Sequence, residues 1–192
     1  MSEELGMNVK LAMESQSFQK QIVGINQQMK LVQSEFTAAS TKVNGFGSET
    51  DKLTEKASSL GKQLELQKQV VAKYAEQFDK SRQKLEDNIK VNEQLKTKLS
   101  STTNAYDASI IATGKNSDES KKLKAEIDDL NKKFTLSQNN IVNNTKSMDG
   151  YSIKMNGAQT SANKLESEIA KTNDTIAKGG SAVKKAELTS MD

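Results

Sequence analysis

Between Ala57 and Tyr106, one residue in every three or four falls on a single helical stripe. The stripe is Ala57, Leu60, Leu64, Gln67, Val71, Tyr74, Phe78, Ser81, Leu85, Asn88, Asn92, Leu95, Leu99, Thr102 and Tyr106. Its steps alternate between three and four, the seam of a coiled coil rather than the broader buried face of a compact bundle. The chain contains no proline. A helix over this stretch would be about 75 Å long, more than a small globular core needs.

The rest of the chain divides around this helix. Leu5, Met7, Val9, Leu11 and Met13 alternate with Gly6, Asn8, Lys10 and Ala12. That period of two predicts a short strand over residues 1–16, one that must pair or dock to be stable. Met, Leu and Ala are also good helix formers, so extension of the next helix is the alternative. Phe18, Ile22, Ile25, Met29, Val32 and Phe36 predict a first amphipathic helix over 17–39, capped by Ser15 or Ser17. Asn44-Gly45 and Gly47-Ser48 predict a turn over 40–50. The long helix then spans 51–108, capped by Thr50 or Asp51, and a linker over 109–117 follows it.

Ser117 or Asp118 starts a third helix over 118–148, with Leu123, Ile127, Leu130, Phe134, Ser137, Ile141, Asn144 and Met148 as its seam. Asp149-Gly150 is expected to break it, leaving a weak linker over 149–160. Leu165, Ile169, Thr172 and Ile176 mark a short helix over 161–178, and 179–192 is expected to be a flexible tail. The fold class is therefore all-α, with long helices joined by glycine-containing turns, plus one amino-terminal β-strand. The turn at 40–50 leaves two arrangements open: a straight rod, or a hairpin with residues 18–36 folded back on the long helix.

Composition supports length over bulk. Mean hydropathy is -0.72, only 34% of residues are hydrophobic and 4% are aromatic. Such a chain can bury a thin seam and little else. Net charge is only +3, from 28 basic against 25 acidic residues, so the high net charge of a disordered chain is missing. Lysines are interleaved with acids, without a dense basic patch or aromatic platforms, and no specific nucleic-acid site is expected. No stretch approaches the roughly 18 apolar residues of a membrane span. Met1-Ser2-Glu3-Glu4-Leu5-Gly6 lacks the pattern of a secretion signal.

Candidate chemistry is sparse. The chain has no histidine and no cysteine, which removes most metal sites and most acid–base chemistry. Glu126, Asp128 and Asp129 lie beside Lys124, Lys132 and Lys133, and pairs such as Asp128–Lys132 or Asp129–Lys133 explain them as surface ion pairs. Glu86, Asp87 and Lys90 read the same way. Ser59-Leu60-Gly61-Lys62 lacks the spacing of a phosphate loop. No catalytic residue, metal ligand or cofactor is expected, and the chain reads as non-enzymatic. The polar seam positions carry more information. Asn88, Asn92 and Asn144 are candidates for fixing register, with a weak, partly wet seam as the alternative. The residues expected to form an oligomer seam are Leu60, Leu64, Val71, Tyr74, Phe78, Leu85, Leu95, Leu99, Leu123, Ile127, Leu130 and Phe134.

The alternating opening Leu5–Met13, then Glu14-Ser15-Gln16-Ser17-Phe18 and a helix with Ile22, Ile25, Met29 and Val32, resembles the amino terminus of phage tail tape measure proteins. The likeness continues in Phe36, in Gly47 through Leu53, and in residues 62–71 (KQLELQKQVV) followed by Tyr74. It covers most of the chain to about Phe134. The resemblance implies a polypeptide that lies inside the tail tube, whose length fixes tail length and around which tube subunits polymerise. It further implies contacts with tail assembly chaperones and tail tip proteins, in the host bacterial cytoplasm during assembly and then in the tail lumen. Self-association is expected, with a trimer implied by the resemblance. Family members are usually much longer and carry apolar or peptidoglycan-degrading segments; none occurs here, so an amino-terminal fragment or a shortened member is expected. The seam alone also fits a cytoplasmic coiled-coil adaptor or structural protein unrelated to tails.

Overall fold

Alternating steps of three and four, abundant Lys, Glu and Gln, and no proline leave little to interrupt a helix. The computed structural model describes the backbone of residues 2–43 and 48–189, and the side chains of residues 16–41 and 48–179. Three helices follow one another: α1 Ser2–Val43, α2 Glu49–Thr113 and α3 Asp118–Thr189. The chain is all-α, with no β-strand among the described residues.

The helix starts are set by side chains. Ser48 caps α2: its backbone N–H donates to Asp51 Oδ2 at 2.9 Å, and the Asp51 N–H donates back to Ser48 Oγ at 3.2 Å. This is a reciprocal capping box with Asp in the third position. The cap therefore lies earlier than Thr50 or Asp51, because only Ser48 leaves its hydroxyl facing the free N–H groups of the first turn. Ser117 caps α3 as its sequence position suggests, accepting from the Ser120 N–H at 3.1 Å. Gly114 ends α2 with φ +86, and its N–H donates to the Ile110 carbonyl at 3.0 Å. A left-handed residue is strained for any side chain with a Cβ, so this is the position that needs glycine.

Several predicted boundaries move. Residues 5–13 lie within α1, so the predicted strand is replaced by helix. Met, Leu and Ala favour helix locally, and the alternation is too short to fix a period by itself. The predicted linker at 149–160 and the separate helix at 161–178 are both part of α3. Gly150 and Gly157 each cost about 1 kcal/mol in a helix, yet Met148, Tyr151, Met155, Ala158, Ala162 and Leu165 keep the seam going across them. Helix α2 runs to Thr113, so of the predicted linker 109–117 only residues 114–117 form the turn. Helix α1 extends to Val43 and α3 to Thr189, past the predicted ends at 39 and 178. The remainder of the 40–50 turn, residues 44–47, and residues 190–192 lie outside the described residues.

The helices form two compact units. Unit 1 comprises Met1–Ala75 and Ile153–Asp192, and unit 2 comprises Glu76–Ser152. In unit 1, buried Ile25, Val70 and Ala158, one from each helix, form a core with Ile22, Met29, Leu66, Val71 and Tyr74 packed around it. Phe18 meets Tyr74 edge-on, with ring centroids 5.4 Å apart, a favourable aromatic geometry. Met29 and Val71 therefore share one cluster, and α1 folds back on α2 rather than continuing it in a straight rod.

Unit 2 contains two helical segments, 76–113 and 118–152, joined by the Gly114 turn. The first rises about 57 Å. Ser137 Oγ donates to the Asn88 carbonyl at 3.4 Å, and Ser109 and Ser120 meet at 2.8 Å. These two contacts set an antiparallel register.

Candidate functional site

The seam is the one feature that organises the described helices, and it is the candidate site. Leu60 and Gln67 are buried, and Leu64, Val71 and Tyr74 are half-buried, all in unit 1. In unit 2, Phe78, Leu85, Leu95, Leu99, Leu123, Ile127 and Phe134 are half-buried, and Leu130 is buried with 3% exposure. The residues expected to join separate chains thus face the interior of one chain's own units. The anchor candidates Leu5, Met7, Val9, Leu11 and Met13 have helical backbone in α1, and their side chains lie outside the described residues.

Polar seam residues behave differently in the two units. Gln67, 9% exposed, donates from Nε2 to the Ala158 carbonyl at 3.0 Å. It is a satisfied cross-helix bond inside the core. Asn88, Asn92 and Asn144 are half-buried. Asn88 contributes only its backbone carbonyl across the helix pair. The Asn92 Nδ2 is buried without a hydrogen-bond partner, a desolvation cost that a leucine there would not carry.

At the hairpin end, four hydroxyls and the carbonyls of Ser109 and Gly114 form a closed cluster. Ser120, with 0% exposure, donates to the Gly114 carbonyl at 3.0 Å and accepts from Ser117 at 2.9 Å and from Ser109 at 2.8 Å. Thr113 Oγ1 lies 2.9 Å from Ser117 Oγ. Each oxygen is satisfied within the protein, which makes the cluster a fastening for the turn rather than a reactive centre. Its hydroxyls have neither a base nor a carboxylate among their partners.

The charged residues line the outside. Lys133 pairs with Asp129 at 2.8 Å. The hydrogen bond from Lys133 holds the Asp129 carboxyl below its ordinary range, and the same bond raises Lys133. Asp128 pairs with Lys124 rather than Lys132, and Glu86 with Arg82. Two ion pairs cross between helices, Lys68–Glu166 at 2.8 Å in unit 1 and Lys98–Glu126 at 3.1 Å in unit 2. All are solvent-exposed, so solvent screening leaves each a small contribution to stability.

No group of three or more acidic residues able to hold a metal ion occurs among the described residues. Among them, no helix is long and apolar enough to cross a membrane. Two surface depressions are each lined by one helix: one by Lys90, Glu93, Thr97 and Lys98 of α2, the other by Gln16, Lys20, Val23 and Gln27 of α1. Neither has the facing wall that would enclose a small molecule.

Sequence reasoning missed Val70, Ala158 and Ala162, which are buried in unit 1, and the hydroxyls of Ser109 and Ser120. Ala158 and Ala162 were findable. Alternating steps from Met148 through Tyr151 and Met155 land on both, then on Leu165. Val70 sits beside the seam, and nothing local shows that a third helix covers that flank. No protein-family model, no curated protein and no solved structure matches this chain.

Proposed function

We propose that this chain is a non-enzymatic scaffold of phage-like tail assembly, a tape measure whose helical length enters the length of the tail. The observation that carries the reading is the likeness of residues 5–18, joined to residues 62–71 and Tyr74, to the amino terminus of tape measure proteins. The alternating three-and-four spacing of seam residues along the sequence supports it, since a ruler needs length and repeat rather than a reactive centre. The polar outer faces, rich in Lys, Glu, Gln and Asn, offer tube subunits many weak and similar contacts. Tube subunits, tail assembly chaperones and tail tip proteins are the proposed partners, first in the host cytoplasm and later in the tail lumen.

The test is a deletion of three whole heptads within residues 57–106 of the protein as it is carried by assembling particles. Electron microscopy is expected to show tails shorter by about 30 Å, the rise of the deleted helix. Tails of unchanged length in assembled particles would overturn the ruler reading.

A further inference from the structure

The heptad phase passes through the unit 2 turn without a slip. From Tyr106, alternating steps of three and four give Ser109, Thr113, Asn116 and Ser120, and the next step lands on Leu123, where the α3 seam begins. Two helices joined by an arbitrary turn would share a phase about one time in seven. The same stepping continues along α3 through Ala158 and Ala162 to Ile176. In sequence it also extends backwards from Ala57 through Leu53, Thr50, Phe46, Val43 and Ala39 to Phe36. A hairpin has no use for this continuity, because its two helices are positioned separately by the turn. A single uninterrupted helix requires it.

We infer that the turn at 114–117 is a hinge through which α2 and α3 exchange partners with a second copy of this chain. In the closed form, α2 and α3 pair within one chain. In the open form the turn straightens into continuous helix, and the α2 segment of each copy pairs with the α3 segment of the other. Every α2–α3 contact, including Gln67–Ala158 and Lys68–Glu166 of unit 1, is then remade between copies, so that along α2 and α3 only the turn changes its bonding.

Three observations support this exchange. Gly114 has the only positive φ among the described residues, and the continuous helix relieves it. No proline blocks a helix through the turn. The residues brought onto the seam at the crossing, Ser109, Thr113, Asn116 and Ser120, are small and polar, and the Ser109 hydroxyl already meets those of Thr113 and Ser120 in the closed turn. The exchange rests on the phase of this sequence and not on the tail reading. It is tested on the chain alone, so its failure leaves tail length as a separate question.

Gly114→Ala is the direct test. A Cβ at this position meets nothing within 4 Å, so the substitution acts through the backbone alone. It penalises the left-handed turn and favours helix, together about tenfold per protomer and about a hundredfold in the equilibrium between exchanged dimer and monomer. Light scattering of the full chain is expected to show that shift. Adding one alanine between Lys115 and Asn116 in the same variant turns the two seams out of phase and is expected to return it to monomer. A second arm retains Gly114 and uses Ser109→Cys with Ser120→Cys in a chain otherwise free of cysteine. Oxidised dilute, this variant is expected to close within the chain; oxidised at high concentration, it is expected to give covalent dimers. Covalent monomer at every concentration, or a Gly114→Ala dimer indifferent to the inserted alanine, would overturn the inference.

Discussion

The two units share α2 and α3 and the seam that runs along them, yet their interiors differ. In unit 1, α1 lies over the flank of α2, and α2 buries residues beside its seam as well as on it: Ser59 at 7% exposure and Val70 at 6%. In unit 2 nothing within the unit covers that flank. Val91, at the heptad position of Val70 three heptads further on, is 45% exposed. Leu130 is the only fully buried apolar side chain among the described residues of unit 2. Two helices can shield only part of each seam residue, and a third closes the core. The difference in composition follows. Unit 1 places Ile25, Val70 and Ala158 together, whereas the middle of unit 2 puts Asn88, Asn92 and Ser137 on the seam with Ile89 and Val91 turned outward.

This contrast predicts unequal responses to substitution. The largest is Val70→Asp, which places an unpaired charge in the three-helix core of unit 1 and is expected to cost about 3 kcal/mol or more. Amide hydrogen exchange should show protection lost across residues 16–41 and retained around Leu99 and Ile127. Equal loss in both units would mean that they fold as one cooperative block. Leu130→Ala is the reciprocal change. It should cost about 2–3 kcal/mol in unit 2, read as a lower denaturant midpoint for that unit with the unit 1 amides unaffected.

Next in size is a pair of leucine substitutions at polar seam positions. Asn92→Leu removes an orphaned amide and fills a half-buried seam position, and should stabilise unit 2 by about 1–2 kcal/mol. Gln67→Leu removes a bond to the Ala158 carbonyl and gains apolar contact in its place, so the net change should be within about 1 kcal/mol of zero. Thermal unfolding of the two variants side by side checks the contrast. A destabilised Asn92→Leu would mean that the asparagine selects register, at a cost in stability that the chain accepts.

Seam positions were legible from sequence because burial follows period, and period survives without tertiary knowledge. All fifteen stripe residues from Ala57 to Tyr106 are buried or half-buried. Element ends were not legible. Asp149-Gly150 looks like a stop, but a helix tolerates about 1 kcal/mol at one glycine when the seam on both sides is buried. The amino-terminal alternation misled because five apolar residues at even spacing fit a strand, while their identities fit a helix. The covered flank at Val70 depends on where α1 docks, a long-range fact that the local pattern around Val70 does not carry. Candidate-site residues fared likewise: the seam was readable, whereas the Gly114 hydroxyl cluster needed the turn geometry to bring Ser109 to Ser120.

The smallest effect separates the two helix caps by charge. In unit 1, the Ser48 hydroxyl and then its backbone N–H bond the Asp51 carboxylate and hold it below its ordinary range. In unit 2, the α3 cap joins Ser117 to the Ser120 N–H with no ionisable group. A folded pKa below the unfolded value means the unfolded chain binds the proton more readily. The Asp51 contribution is therefore complete above the unfolded value of about 4 and is lost as pH falls through the lower folded value. Acid should fray the start of α2 and leave the start of α3 intact. Nuclear magnetic resonance titration of the Asp51 and Ser120 amides should show a transition at the first and none of local origin at the second. Asp51→Asn should flatten the response at α2, since an amide still accepts from the Ser48 N–H but does not titrate. If both caps loosen together over the same pH range, acid is acting through the helices as a whole, and the Ser48–Asp51 box is not the sensitive element.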